Sequence, residues 1–233
     1  MPTAADPPAT PAPTEEQLHY LAVCLAIAAG FVDAIGFMQL GGTFVSFMSG
    51  NSTKLAVDVA KVSTAAVLTS TVIGAFFLGA MAGSLVSTAA PVRRKPLVLL
   101  TVTFCLCAGA MLQAFGLDFA AVLAMAFAMG CANTVFRRED GPYNVGITYM
   151  TGNLVRLADG VVGVLAGRKR PWLPYLLLWA GLLVGAALGA LIFRGIGMAA
   201  LWIAAAGTAL LSVAARNVKS VPPGATPPAT QWR

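Results

Sequence analysis

Charge is what this chain has least of. Only 10% of its 233 residues are Asp, Glu, Lys or Arg, against roughly 25% in an ordinary soluble domain. That scarcity excludes a water-soluble fold. Histidine occurs once, as His19, so no His cluster can hold a metal and no Ser-His-Asp set can form away from a membrane edge. The four cysteines, Cys24, Cys105, Cys107 and Cys131, all sit in apolar stretches. Cys105-x-Cys107 has neither redox nor zinc spacing, and the cysteines read as small core residues. A phosphate-binding glycine loop and an HExxH helix are both missing. No metal, no cofactor and no enzymatic activity are expected.

What fills the chain instead is apolar sequence, 58% of all residues, with a mean hydropathy of +0.80. Six windows approach or reach the roughly 20 residues that span a bilayer: Leu18–Gln39, Thr64–Ser87, Leu97–Phe115, Phe119–Phe136, Trp172–Phe193 and Met198–Ala214. They leave no room for a soluble catalytic domain. The pattern predicts an all-α, polytopic membrane helix bundle of six transmembrane helices. Residues 1–17 and 216–233 flank it as Pro-, Ala- and Thr-rich tails expected to be disordered. The first tail carries acids and no base before Leu18, which does not fit a secretory signal peptide.

The formal charge of +6 does not point to nucleic acid, because the cations lie between apolar windows. With six spans, twelve of the 15 Lys and Arg fall on one side and three (Lys54, Lys61 and Arg194) on the other. The positive-inside rule then places both termini in the cytoplasm. If the short segments between spans also crossed, this asymmetry would nearly vanish.

Two stretches of the chain repeat each other. Val45-Ser46-Phe47-Met48-Ser49-Gly50-Asn51 returns 102 residues later as Ile147-Thr148-Tyr149-Met150-Thr151-Gly152-Asn153, and the match runs on through Lys54-Leu55-Ala56 and Arg156-Leu157-Ala158. Ten of the twelve positions are identical or conservatively exchanged. Upstream, Gly30 precedes Asp33 by three residues, as Gly130 precedes Asn133. Density of this order marks an internal duplication, with repeat one at 18–116 and repeat two at 117–215. An odd number of spans per repeat makes the second copy enter from the opposite face, so the repeats are expected to be inverted. Gly41-Gly42 and Gly141-Pro142 break the preceding spans. Ser49 and Thr151 then suit the caps of short interrupted or re-entrant helices over Asn51–Lys61 and Asn153–Arg168, expected to converge on a central cavity. Gly74, Gly79 and Gly83, and likewise Gly181, Gly185 and Gly189, give small-residue faces for internal packing or a dimer seam.

Asp33 is the only acid well inside an apolar span. A charge at the bilayer centre costs about 2.5–3.5 kcal/mol, so Asp33 faces protein or water as a proton carrier, a cation ligand or a structural partner. Asn51 and Asn153 offer donors and acceptors beside a helix N-terminus, where anions are attracted; capping alone would also explain them. Lys54 and Arg156 follow one turn later, each placed to neutralise an anion, to pair with an acid such as Asp33, or to snorkel. The candidate substrate or ion site is thus Asp33, Ser49, Gly50, Asn51, Lys54, Asn133, Thr151, Gly152, Asn153 and Arg156.

Gly30-Phe31-Val32-Asp33-Ala34, Phe44 through Asn51 and Met150-Thr151-Gly152-Asn153-Leu154 together resemble the YoaK-like family of bacterial inner-membrane proteins, a family named for a domain of unknown function. The resemblance covers about Leu18 to Ala215 and implies a multi-pass protein of the bacterial plasma membrane. It implies neither substrate nor mechanism. The leading expectation is a small secondary transporter or permease, with the lipid bilayer as its surroundings and a homodimer as a plausible assembly. The alternative is a non-transporting scaffold or a lipid- or partner-binding membrane protein.

Overall fold

The computed structural model describes residues 15–136, 150–168 and 171–218. Every regular element among them is helical. In chain order these are α1 (Glu15–Gln39), α2 (Met48–Ala60), α3 (Ala65–Ala89), α4 (Arg94–Ala114), α5 (Asp118–Ala132), α6 (Met150–Leu165), α7 (Leu173–Ile196) and α8 (Leu201–Ala214), with single 3-10 turns before α4 and around α8.

Four helical runs are long and apolar enough to cross a membrane: Gln17–Gln39, Ala65–Ala89, Pro91–Ala114 and Leu173–Ala214. This departs from the six separate spans expected. The window at 119–136 folds as helix only to Ala132, because Asn133 Nδ2 donates to the Met129 carbonyl at 2.9 Å and Thr134 Oγ1 to the Cys131 carbonyl at 2.8 Å. The Cys131 carbonyl, which a further turn would give to Val135, is taken by the Thr134 hydroxyl and N–H. At 15 residues and 1.5 Å per residue, α5 is about 22 Å long, short of the ~30 Å hydrocarbon core. The last two windows form one run of 42 residues, divided at Gly197, whose φ of 60° is left-handed and open to glycine. Of the two tails, residues 15–17 are the first of α1 and residues 216–217 belong to the 3-10 turn after α8; residues 1–14 and 219–233, the Gly141-Pro142 break and the Arg137–Asp140 cluster lie outside the described residues.

Four helices build the centre. Val32 and Ile35 of α1, Leu99 and Leu106 of α4, Val122 and Met125 of α5 and Leu201 of α8 are all fully buried. Around them α1 packs along α7, α3 along α5, and α4 lies against both α5 and α8. The outer helices turn large apolar side chains outward, among them Phe77 (63% exposed), Leu85 (69%) and Leu191 (63%). Water would penalise such a surface and a bilayer does not.

The outer helices approach on glycine. A Cβ on Gly185 of α7 would collide with the Ile27 carbonyl of α1, and one on Gly189 with the Phe31 carbonyl. On α3, Gly79 stands the same way against the Phe127 carbonyl of α5, and a Cβ on Gly83 would lie 2.9 Å from Cys131 Cα. From the other side, Gly30 of α1 abuts the Leu182 carbonyl of α7, and Gly130 of α5 abuts the Phe76 carbonyl of α3. With no hydrophobic drive between helices in lipid, close backbone packing of this kind is what holds them. Gly79, Gly83, Gly185 and Gly189 are therefore occupied inside the molecule, while the Cβ position of Gly74 is open. The Cys131 thiol adds a contact to the Gly79 carbonyl at 3.0 Å, and Ser87 Oγ reaches the Thr134 carbonyl at 3.5 Å.

Candidate functional site

The first copy of the repeated motif closes on itself. Helix α1 ends at Gln39 and the chain turns through Gly41 (φ 61°) and Gly42 (φ 110°), as the Gly-Gly pair predicts. Residues 43–47 then run back toward α1. Asp33 Oδ1 accepts the backbone N–H groups of Val45 and Ser46, both at 2.8 Å. Asn51 grips the same segment from α2: its Oδ1 accepts the Phe44 N–H at 3.0 Å and its Nδ2 donates to the Phe44 carbonyl at 2.6 Å. Three backbone donors and one carbonyl of this segment are satisfied in this way.

Because the chain is fixed before α2 begins, Ser49 is not its cap. The helix starts at Met48, its N-cap is Phe47, and no side chain makes a capping hydrogen bond there. Ser49 is exposed within the first turn. In the second copy, α6 runs from Met150, so Thr151 likewise lies inside the helix. Gly50 is small for a visible reason: a Cβ there would lie 2.5 Å from the Phe47 ring. That ring belongs to a group in which Phe37 and Phe44 lie 4.7 Å apart, and Phe44 and Phe47 5.3 Å apart, centroid to centroid.

The two asparagines hold the same local geometry. Each is buried, and each points its Nδ2 at the sulfur of the methionine three residues before it, Asn51 to Met48 at 3.8 Å and Asn153 to Met150 at 3.7 Å. The cations diverge. Lys54 Nζ pairs with Asp58 Oδ2 on its own helix at 2.7 Å rather than with Asp33. Gly160 occupies the position in α6 that matches Asp58, and the Arg156 guanidinium lies 5.7 Å from the centre of the Tyr175 ring of α7, within cation–π range. Gly160 seats α6 on the turn before α7, with Trp172 Cβ 2.8 Å from its own Cβ position.

The motif helices rest on different partners, α2 on α3 and α6 on α7. A cavity of about 10 Å³ lies between α1, α4, α5 and α8, lined by Leu25, Ala29, Val32, Leu106, Asn133 and Thr208 among others. That is room for about one water. Of the ten candidate residues, Asn133 lines it. Asp33 follows a lining residue, Val32, directly in sequence. Beside the cavity, Thr103 of α4 donates to Thr208 of α8 at 3.0 Å.

Two residues stand out that charge counting passes over. Arg94 and Lys95, which read as loop cations, are buried at the start of α4, Lys95 completely. The adjoining carbonyl of Pro96 accepts Ser212 Oγ of α8 at 2.9 Å. Neither residue carries a sequence signal separating it from a topological charge. Among the described residues, no group of three or more His, Cys, Asp or Glu is placed to hold a metal ion.

Membrane-length apolar helices packed on glycine, with their large side chains turned outward, define an all-helical integral membrane protein. Residues 21–214 match the model of a family described as "Protein of unknown function (DUF1275)", and the chain belongs to that family. It is also 35% identical over 199 residues to a UPF0700 transmembrane protein of Rhizobium meliloti (strain 1021), covering 85% of this chain and 86% of the relative. The uncharacterised membrane family expected from the doubled motif is thus borne out. No solved structure matches the chain.

Proposed function

We propose that the chain is a small permease for an ion or polar metabolite, built of two inverted repeats that share the central cavity. One observation carries the reading: the crossing of α1 on α7 is remade by α5 on α3, position for position. Gly185 over Ile27 corresponds to Gly79 over Phe127, Gly189 over Phe31 to Gly83 over Cys131, and Gly30 under Leu182 to Gly130 under Phe76. One helix of each pair, α1 and α5, lines the cavity together with α4 and α8, which meet at Thr103 and Thr208. Two equivalent halves around one site can exchange conformations and expose that site to either face in turn. In this reading Asp33 and Asn133 occupy equivalent positions beside the cavity, and only Asp33 can carry charge. Both termini lie in the cytoplasm of a bacterial inner membrane.

The test is thermal stabilisation of the purified protein across a library of ions and small metabolites, with Asp33→Asn and Asn133→Ala alongside. A ligand that raises the Tm of the wild type and not of the variants, and is taken up by proteoliposomes, is the expected result. If nothing in the library shifts the Tm of folded protein, the permease reading fails.

One observation favours a different role. The strongest Asp33 and Asn51 hydrogen bonds are to backbone of the segment that leads into α2, as in a purely structural clasp. A scaffold or lipid-binding membrane protein needs no more than that.

A further inference from the structure

We propose that residues 43–47 form a gate over the central cavity, latched to α1 by Asp33. The inference rests on the permease reading for its purpose, though not for its test.

The gate sits where a gate must. Ala29 and Val32 line the cavity, and Gly36 continues the same face of α1 one turn further on. Val45 covers Gly36 so closely that a Cβ there would collide with Val45 Cγ1, and Val45 itself is fully buried. The segment therefore caps the α1 wall of the cavity at its Gln39 end.

It is also attached on two sides. Asn51 binds Phe44 through both ends of its amide, so residues 43–47 and α2 form one body. That body is held to α1 by Asp33 on two N–H groups, Val45 on Gly36 and the Phe37–Phe44 ring contact. At the hinge, Gly41 and Gly42 have positive φ, and nothing lies within 4 Å of either Cβ position. The two glycines can take up a change of backbone angle there, and a swing also slides α2 on α3. Release of Asp33 would let the strap lift off Gly36 with α2 and uncover Val32.

The reporter is Val32→Cys, a residue 1% exposed, in full-length protein reconstituted in phosphatidylcholine vesicles and treated with a charged maleimide. Labelling is read against protein carrying the native cysteines alone. Asp33→Asn weakens the latch; Gly36→Ala wedges Val45 from its seat and leaves the carboxylate in place. Cysteine at Val72, fully buried on α3, reports general unfolding. Val32→Cys is expected to label about tenfold faster in Asp33→Asn, the scale set by loss of a charge-assisted hydrogen bond, and faster than in the parent in Gly36→Ala, while Val72→Cys does not change. If Asp33→Asn does not fold, Gly36→Ala decides alone. An unchanged Val32→Cys rate in folded variants overturns the gate, as does a parallel rise at Val72→Cys. Opening without any stabilising ligand keeps the gate and sinks the permease; a ligand effect without opening does the reverse.

Discussion

Asn51 and Phe44 are joined twice, amide to peptide, by bonds of 3.0 and 2.6 Å. The side chain stands in for a strand partner, reading both the N–H and the C=O of one residue seven positions back. No other amino acid of that length carries a donor and an acceptor side by side.

Asn51→Ala should accordingly cost more than loss of an ordinary surface amide. It leaves the Phe44 N–H and C=O without partners, at about 1–3 kcal/mol for each buried group. Asn51→Asp keeps the acceptor and loses the donor, and should fall between wild type and Asn51→Ala. Thermal unfolding of the three proteins in one detergent checks the order.

Glycine substitutions should split by position. Gly79→Ala and Gly185→Ala each drive a methyl into a facing carbonyl, and overpacking of this kind costs about 1–3 kcal/mol or more. Gly74→Ala meets nothing and should be neutral or stabilising by up to about 1 kcal/mol through helix propensity. Unequal losses at Gly79 and Gly185, measured by the same unfolding assay, would count against equivalent crossings.

Lys54 should matter little to stability. Its partner Asp58 is on the same helix face one turn away, a pair worth about 0.3–0.5 kcal/mol when solvated. Lys54→Met and Asp58→Asn should give small and non-additive changes in a double-mutant cycle. A large loss from Lys54→Met alone would show that the cation has another task.

Thr208→Val removes the interhelical acceptor of Thr103. The single Thr103 hydroxyl proton can turn to the Leu99 carbonyl at 2.9 Å instead, so the loss should be near the ~0.6 kcal/mol average for such contacts in membranes. Denaturation midpoints of Thr208→Val and wild type test this directly.

Much of this architecture is legible in the residues. Apolar windows locate α1, α3, α4 and α7, Gly41-Gly42 marks the end of α1, and the doubled motif singles out Asp33, Asn51 and Asn153. What escapes a reading of the sequence is partnership. Phe44 offers Asn51 only backbone, and backbone leaves no trace in a motif. Ser49 has a capping hydroxyl by composition, but the Asp33 carboxylate already organises the chain ahead of it. The short reach of α5 follows from Asn133 and Thr134 turning on their own helix, which hydropathy does not sense. Lys95 has the charge of a loop residue and the burial of a core one.

The glycine crossings carry a consequence for the order of assembly. The surface that α1 presents through Ile27 and Phe31 is completed by α7, and the groove on α3 at Gly79 and Gly83 is completed by α5. The first four helices therefore leave the ribosome with their tightest contacts still unmade. The α3 groove waits for α5, the next helix to emerge, and the α1 face waits for α7, so a fragment ending after α4 has no native partner for either face. Co-expressed as separate pieces, the two halves should rescue one another; expressed singly, each should be short-lived.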